Sequence, residues 1–382
     1  MTPLGKRLHA RCNRLHAGPG EGMGVTLKDV AREAQVSTAT VSRVINGHGN
    51  VSEATRERIL GVAERLRYVP DSAARSLSTG LTHTIGVLLP DLHGEFFSEI
   101  IRGIDQAARV RGLHLLLSGV HGSADEAAQA IRSLKGRVDG LLIMSPYADA
   151  AFLAEQPADD MPAVLMNTPV RGHSHAAFCI DNRGCARVML RHLARVGHQR
   201  IAFISGPDNN FDATERLAGY RQELRTLGLH AGEQVLSGDF SEESGYRAAQ
   251  ALMALPRREW PDAVFAANDM MALGCLFAFN EAGIGVPGDI ALAGVDDIPM
   301  ARFVSPPLTT VRVRMAELGA RALERLAAAI AAPQATPPST EMVATELVIR
   351  ASCGARPAPA PRRAPRRVRG TDRPRKRPGG GA

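Results

Sequence analysis

Apolar residues at Leu27, Val30, Ala31 and Ala34 recur three and four positions apart, which places them on one face of a helix. Thr26, with Asp29 three residues later, predicts where that helix starts. Gln35-Val36 predicts a tight turn. Ser37 is suited to cap a second helix, because its hydroxyl can accept an otherwise unpaired backbone N–H. In that second helix Val41, Val44 and Ile45 point one way, which leaves Thr38, Ala39, Ser42, Arg43 and Asn46 on the other side. A third helix is predicted from Ser52, burying Ile59, Val62, Ala63 and Leu66, and Tyr68-Val69-Pro70 ends the bundle. Asp71 or Ser72 can then cap a short helix through Ser78 that carries Ala73, Ala74, Arg75 and Leu77, with Gly80 just beyond. Such a helix is too short to be stable alone in water, so it should form only when something packs on it.

After Gly80 the pattern changes to short apolar runs separated by helical segments. Residues 84–90, 113–117, 140–144, 163–166, 200–204, 263–266 and 290–294 read as buried strands, and 97–111 as a helix. Strands of this kind alternating with helices predict parallel sheets covered on both faces. Their extent predicts two α/β lobes. Ligands in such folds bind beyond the carboxyl ends of the strands. The residues there are Asp91 with Phe96 and Phe97, Ser145 with Tyr147, Asp181-Asn182, Arg216, Asp239-Phe240, Asn268-Asp269 and Asp296-Asp297. Strand-end and helix capping accounts for about half of this set. The expected effector-site residues are Asp91, Phe96, Phe97, Tyr147, Asn182, Arg216, Phe240, Asn268 and Asp296.

Two capped helices across a tight turn read as a helix-turn-helix, with an ordinary three-helix bundle as the bland alternative. Short polar residues at the start of the outer face of the second helix would let it sit deep in a major groove, where Arg43 can reach a guanine edge or a phosphate. Several longer stretches decide between the two readings. Thr-Leu-Lys-Asp-Val-Ala from Thr26, Val-Ser-Thr-Ala-Thr-Val-Ser-Arg-Val-Ile-Asn from Val36, Val-Ser-Glu-Ala-Thr-Arg-Glu-Arg from Val51 and Ala-Arg-Ser-Leu-Ser-Thr-Gly from Ala74 occur in this order. In order and spacing they resemble the lactose repressor (LacI/GalR) family of bacterial transcription regulators, and the match continues to about Ser352. The resemblance implies that Thr38, Ala39 and Arg43 face bases and that Leu77 wedges into the minor groove at the operator centre. Thr26, Ser37, Thr40, Ser42, Asn46, Tyr68 and Ala74 complete the expected DNA-binding set. It also implies an effector held between two periplasmic-binding-protein-like lobes. Arg216, Asn268 and Asp296 then match positions that hold ligand hydroxyls or polar ring atoms, Phe240 matches a stacking aromatic, and Asn182 and Phe96 match pocket positions. An Arg, an Asn and an Asp around an aromatic face suit a sugar ring, with a nucleoside as runner-up. The loop from Asp208 to Thr214 departs from the family's ligand patterns, and Asn210 and Asp212 argue against a purine base.

The expected fold is a small all-α helix-turn-helix headpiece followed by a two-lobed α/β domain with parallel sheets. Residues 25–70 form the headpiece, 71–80 the hinge helix and 81–352 the effector-binding and dimerisation domain. The lobes are expected to comprise 81–182 with 312–341, and 183–311 with 342–352. Residues 1–24 and 353–382 are expected to be disordered, and Met23 stands where family members usually begin.

Charge supports this division. The 382-residue chain carries +7 overall, but ten basic residues against one acidic fall in 355–382. Residues 25–80 hold eight basic and six acidic residues, so 81–354 is acidic. A basic head on an acidic body fits a DNA-binding module joined to a sensor. The basic tail reads either as extra phosphate contact or as a dispensable terminus. Residues 1–24 lack the apolar segment of a secretory signal, and there is no apolar run of membrane-spanning length. Cys12, Cys179, Cys185, Cys275 and Cys353 lack metal or disulfide spacing, so no cofactor is expected and the cytoplasm is the default.

An extracytoplasmic sugar-binding protein would leave the headpiece unexplained. An α/β enzyme using Asp296-Asp297 as an acid–base pair would need two adjacent residues to face one substrate, and the chain has no nucleophile elbow, P-loop or metal motif. The partners expected are pseudo-palindromic double-stranded operator DNA, a sugar effector and a second copy of the chain. A dimer is favoured over a tetramer because the leucine-heptad tail of the family's tetrameric founder is missing.

Overall fold

A computed structural model describes residues 25–46, 51–69, 80–120, 124–147, 161–168, 175–332 and 339–355. The chain divides into two units between His83 and Thr84.

In the first unit, α1 (Leu27–Glu33) opens with a reciprocal cap. The Thr26 hydroxyl accepts from the Asp29 N–H, and the Asp29 carboxylate accepts from the Thr26 N–H at 3.0 Å. Gln35, at φ +50°, makes the turn. Helix α2 (Thr38–Ile45) starts where the Ser37 hydroxyl accepts from the Thr40 N–H at 3.1 Å. Helix α3 (Glu53–Arg65) follows Ser52, whose hydroxyl bonds the Thr55 hydroxyl instead of a backbone N–H. Val30, Ala31, Ala34, Val41, Val44, Ile59 and Val62 form the core, with Ala63 and Leu66 half-buried beside it.

The second unit holds two six-stranded sheets. The first contains β1 (Thr84–Leu89), β2 (His114–Gly119), β3 (Gly140–Ile143), β4 (Ala163–Met166), β5 (Ala176–Ile180) and β11 (Thr340–Val343), in the order β11-β5-β4-β3-β1-β2. The second contains β6 (Ile201–Ile204), β7 (Gln234–Leu236), β8 (Ala263–Ala266), β9 (Ala291–Asp296), β10 (Thr309–Val313) and β12 (Thr345–Val348), in the order β12-β10-β9-β8-β6-β7. All pairings are parallel except that of β12 with β10. The reason lies in the crossings between lobes. Strands β10 and β11 both end at a crossing, so β12, which leaves one, must run the other way.

The exchange of chain between lobes differs from the expected one. Arg312 pairs with Asp296 and Val313 with Thr345 in the second sheet, so the chain crosses after Val313 and not after Val311. Met342 and Val343 pair with Cys179 and Ile180 in the first sheet, so the return comes after Val343 and not after Glu341. Val311 and Val313 are both buried, and this inward alternation carries β10 two residues further.

The helices of this unit are α4 (Glu95–Val110), α5 (Ala124–Leu134), α6 (Asn182–Val196), α7 (Phe211–Leu227), α8 (Glu242–Met253), α9 (Asp269–Glu281) and α10 (Met315–Ala331). Several helix pairs approach on glycines. A Cβ on Gly103 of α4 would lie 1.9 Å from the Ala316 carbonyl oxygen at the start of α10. A Cβ on Gly274 of α9 would lie 1.9 Å from the Glu242 carbonyl oxygen of α8. Helices α4, α7, α8 and α9 all begin just beyond strand ends, so their N-termini gather at one place.

Candidate functional site

That place is a cleft of about 360 Å³ between the two sheets. Asp91, Phe96, Phe97 and Tyr147 line it from the first lobe, and Arg216, Phe240, Asn268 and Asp296 from the second. Of the expected effector residues only Asn182 is absent from the lining. It is buried behind Arg216, with its Oδ1 accepting from Arg216 Nε at 2.8 Å and its Nδ2 donating to Asp212 Oδ1 at 2.7 Å. It therefore orients Arg216 and does not reach the open space.

The centre of the cleft is a buried polar group of three. Arg216 is 3% exposed and donates from Nη1 to the Ala267 carbonyl at 2.5 Å. Its Nη2 lies 3.7 Å from Asp296 Oδ1, near enough for attraction and too far for a hydrogen bond. Asp296 is 2% exposed, and its Oδ1 has no hydrogen-bond partner among the described residues. Burial pushes the Asp296 carboxyl up to about 7, with Arg216 opposing and Asp212 adding to the rise. Asp212 is also raised by burial, against Arg216 and two amide donors, Asn182 and Asn167. A buried acceptor left unpaired costs about 1–3 kcal/mol, so a ligand that donates to Asp296 Oδ1 recovers that cost on binding.

The surrounding residues have definite jobs. Asn268 caps α9, accepting from the Met271 N–H at 3.0 Å, and its Nδ2 donates to the Phe240 carbonyl at 2.9 Å. This fixes Phe240, whose φ of +72° is unusual for a side chain of its size. The Phe240 ring lies against Gly206, where a Cβ would come within 2.4 Å of it. Gly206 is thus a seat for an aromatic ring. Phe96 and Phe97 meet edge to face at 5.2 Å. Asp91 is exposed and accepts from the backbone of Leu92 and His93, which shapes the loop it begins.

Asp296 and Asp297 do not act as a pair. Both have positive φ, +116° and +56°, and the turn sends their side chains to different places. Asp297 is bound by Arg312 at 2.6 Å and by Arg350 at 2.5 Å. It has no free oxygen to offer a substrate in the cleft.

Several lining residues lie outside the expected effector set, among them Met144, Met270, Glu242 and the pair read as arguing against a purine base, Asn210 and Asp212. Asn210 and Glu242 were findable as a helix cap and a first-turn residue, since Asn210 accepts from the Ala213 N–H and Glu242 begins α8.

On the first unit, Thr38, Ala39 and Arg43 are exposed on α2, and Ser42 and Asn46 are half-buried beside them. Thr26 and Ser37 are occupied as caps, and Thr40 shares a 2.8 Å hydroxyl contact with Ser37. Tyr68 packs against the small core. Ala74 and Leu77, with the rest of the expected hinge, both chain ends and Cys12, lie outside the described residues. Within the described residues no helix is long and apolar enough to cross a membrane.

Comparison with known proteins bears on both units. Residues 26–71 match the family model described as bacterial regulatory proteins, lacI family, and residues 190–353 match a periplasmic binding protein-like domain. The ribose operon repressor of Escherichia coli (strain K12) is 37% identical over 314 residues, covering 81% of this chain and 94% of that protein. Catabolite control protein A of Priestia megaterium is 34% identical over 307 residues, covering 80% of this chain and 92% of that one. Among solved structures, the lac repressor dimer bound to operator and the anti-inducer ONPF superposes with a TM-score of 0.78 at 31% identity, covering 87% of this chain and 100% of that one.

Proposed function

The chain belongs to the lacI family of bacterial regulatory proteins, and from that premise we propose that it is a dimeric, sequence-specific transcriptional repressor whose operator affinity is set by a sugar bound in the cleft. The observation that carries the proposal is the union, in one chain, of an outward-facing α2 bearing Thr38, Ala39 and Arg43 with a cleft whose buried Asp296 Oδ1 is unpaired. In this reading α2 enters the major groove, and Arg43 reads a base edge. Each headpiece, residues 25–70, reads one half-site, so two copies require a pseudo-palindrome. Residues 71–80 supply the hinge, with Leu77 wedged into the minor groove.

In the cleft, one ligand hydroxyl donates to Asp296 Oδ1 and a neighbouring one accepts from Arg216 Nη2. Phe240 supports the ring face. The relatives named above include a ribose operon repressor, which favours a sugar here. The protein works in the bacterial cytoplasm, where its DNA lies, and it is a sensor and not an enzyme.

Selection of bound duplexes from a random DNA pool, paired with a thermal-shift screen of sugars and nucleosides, tests this function. The expected results are a two-fold symmetric consensus and stabilisation by a sugar. An asymmetric single half-site would remove the dimeric mode, and stabilisation by nucleosides alone would replace the sugar.

A further inference from the structure

Around the cleft the helix starts carry carboxyl groups of their own. Helices α4, α7, α8 and α9 point their N-termini at it, through Gly94, Asn210, Ser241 and Asn268. A helix N-terminus carries roughly half a positive charge and ordinarily welcomes a phosphate. Here each first turn holds a carboxyl of its own, Glu95, Asp212, Glu242 and Asp269 respectively. Three of the four are also capped by a side chain, from Asn210, Ser241 and Asn268. The one start without a side-chain cap, at Gly94, has Glu95 beside it.

The lining adds to this. Asp91, Asp212, Asp239, Glu242 and Asp296 line the cleft with a single arginine, Arg216, although Asp239 also meets Arg247 at 3.5 Å. Two of the Arg216 nitrogens are already committed, Nε to Asn182 and Nη1 to the Ala267 carbonyl, and the third, Nη2, lies 3.7 Å from Asp296. Glu242 is half-buried and finds no side-chain partner among the described residues. Independently, the buried Asp296 Oδ1 has no hydrogen-bond partner among the described residues and, when ionised, offers an acceptor to a ligand's donor.

We infer that the effector carries no phosphate or carboxylate, and that it is an uncharged polyhydroxy ring on which an ammonium substituent is tolerated or favoured at the wall formed by Asp91, Asp239 and Glu242. The inference rests on the sugar reading of the cleft and narrows it by charge. An anionic ester would meet several carboxyl groups in a partly enclosed, low-dielectric space, with Arg216 Nη2, itself beside Asp296, as the one guanidinium nitrogen in the lining left to receive it.

The test is calorimetry on the full-length protein at neutral pH and fixed ionic strength, with ribose, glucose and galactose as probes. Each is compared with its terminal phosphate ester, and the two hexoses also with their amino derivatives. For whichever sugar binds, the ester should bind about tenfold or more weakly than the parent. The amino derivative should bind at least as well as the parent. In the double variant Glu242→Gln with Asp239→Asn, checked for an unchanged melting temperature, the gap between parent and ester should shrink. An ester that binds as well as its parent or better, as it would if the uncapped start of α4 received the phosphate, overturns the inference and leaves the sugar reading intact. So does a gap that the double variant leaves unchanged. If no sugar binds in any charge form, the sugar reading itself fails and takes the inference with it.

Discussion

Replacing Arg216 by alanine should cost about 3–5 kcal/mol of stability, because the side chain braces the cleft besides facing it. The cost follows from its partners. Asn182 Oδ1 and the Ala267 carbonyl are buried acceptors that each lose a charged donor, at about 1–3 kcal/mol apiece. Asp296 and Asp212 lose the cation that offsets their burial, the situation in which breaking a buried pair costs about 3–5 kcal/mol. The loss should depend on pH. The Asp296 carboxyl stands at about 7 in the folded chain against 3.8 when unperturbed. Its contribution to stability is therefore complete below 3.8 and lost as pH rises through about 7. Without Arg216 the folded value climbs further, so the variant continues to lose stability at pH values where the wild type has levelled off. The extra loss approaches about 1.4 kcal/mol per pH unit. Urea unfolding followed by circular dichroism at about pH 5 and about pH 8 measures both effects. Pairing the change with Asp296→Asn should recover part of the cost at the higher pH. A loss below about 1 kcal/mol, or one equal at both pH values, would refute the bracing role.

Other outcomes follow from single contacts. Asp296→Asn should flatten the pH dependence of sugar binding, which in the wild type should weaken as pH falls below about 7, because a hydroxyl donor favours the ionised carboxylate; calorimetry with equal slopes for both proteins would contradict this. Gly274→Ala should destabilise by about 1–3 kcal/mol by driving a Cβ against the Glu242 carbonyl, whereas Gly61→Ala, in the open on α3, should stabilise by about 0.5–1 kcal/mol. Melting curves that rank these two glycine variants the other way would show the packing to be misread. Arg43→Ala should weaken binding to the selected site by about 1–3 kcal/mol and relax one base position. A loss uniform over all site variants would make Arg43 a phosphate anchor.

The headpiece was legible because its signals are local: a cap at Thr26, a cap at Ser37 and apolar residues at helical spacing are all written within a few residues of one another. Most central strands were legible as apolar runs. Strands β5, β7, β10 and β11 were not; in β5 Ala176-Ala177 is small and weakly patterned, and in β7 Gln234–Leu236 is a three-residue edge. The crossings were placed two residues early because inward alternation at Val313 and Val343 is visible only when partner strands are known. In the cleft, position after a strand pointed to Phe240, Asn268 and Asp296, which line it, whereas Arg216 reaches it from within α7. It could not show that Asn182 stands one layer back, or that two positive φ angles separate Asp296 from Asp297. Those facts depend on contacts between residues far apart in the chain.

Operator affinity measured with and without a saturating sugar tests whether a ligand in the cleft changes DNA binding. Bound sugar should change it about 5–150-fold, or about 1–3 kcal/mol, with sugar affinity changing by the same factor when operator is present. In Asp296→Asn the response should move to higher sugar concentration in step with its weakened sugar affinity. Equal operator affinity in the presence and absence of a sugar that calorimetry shows to be bound would contradict the account.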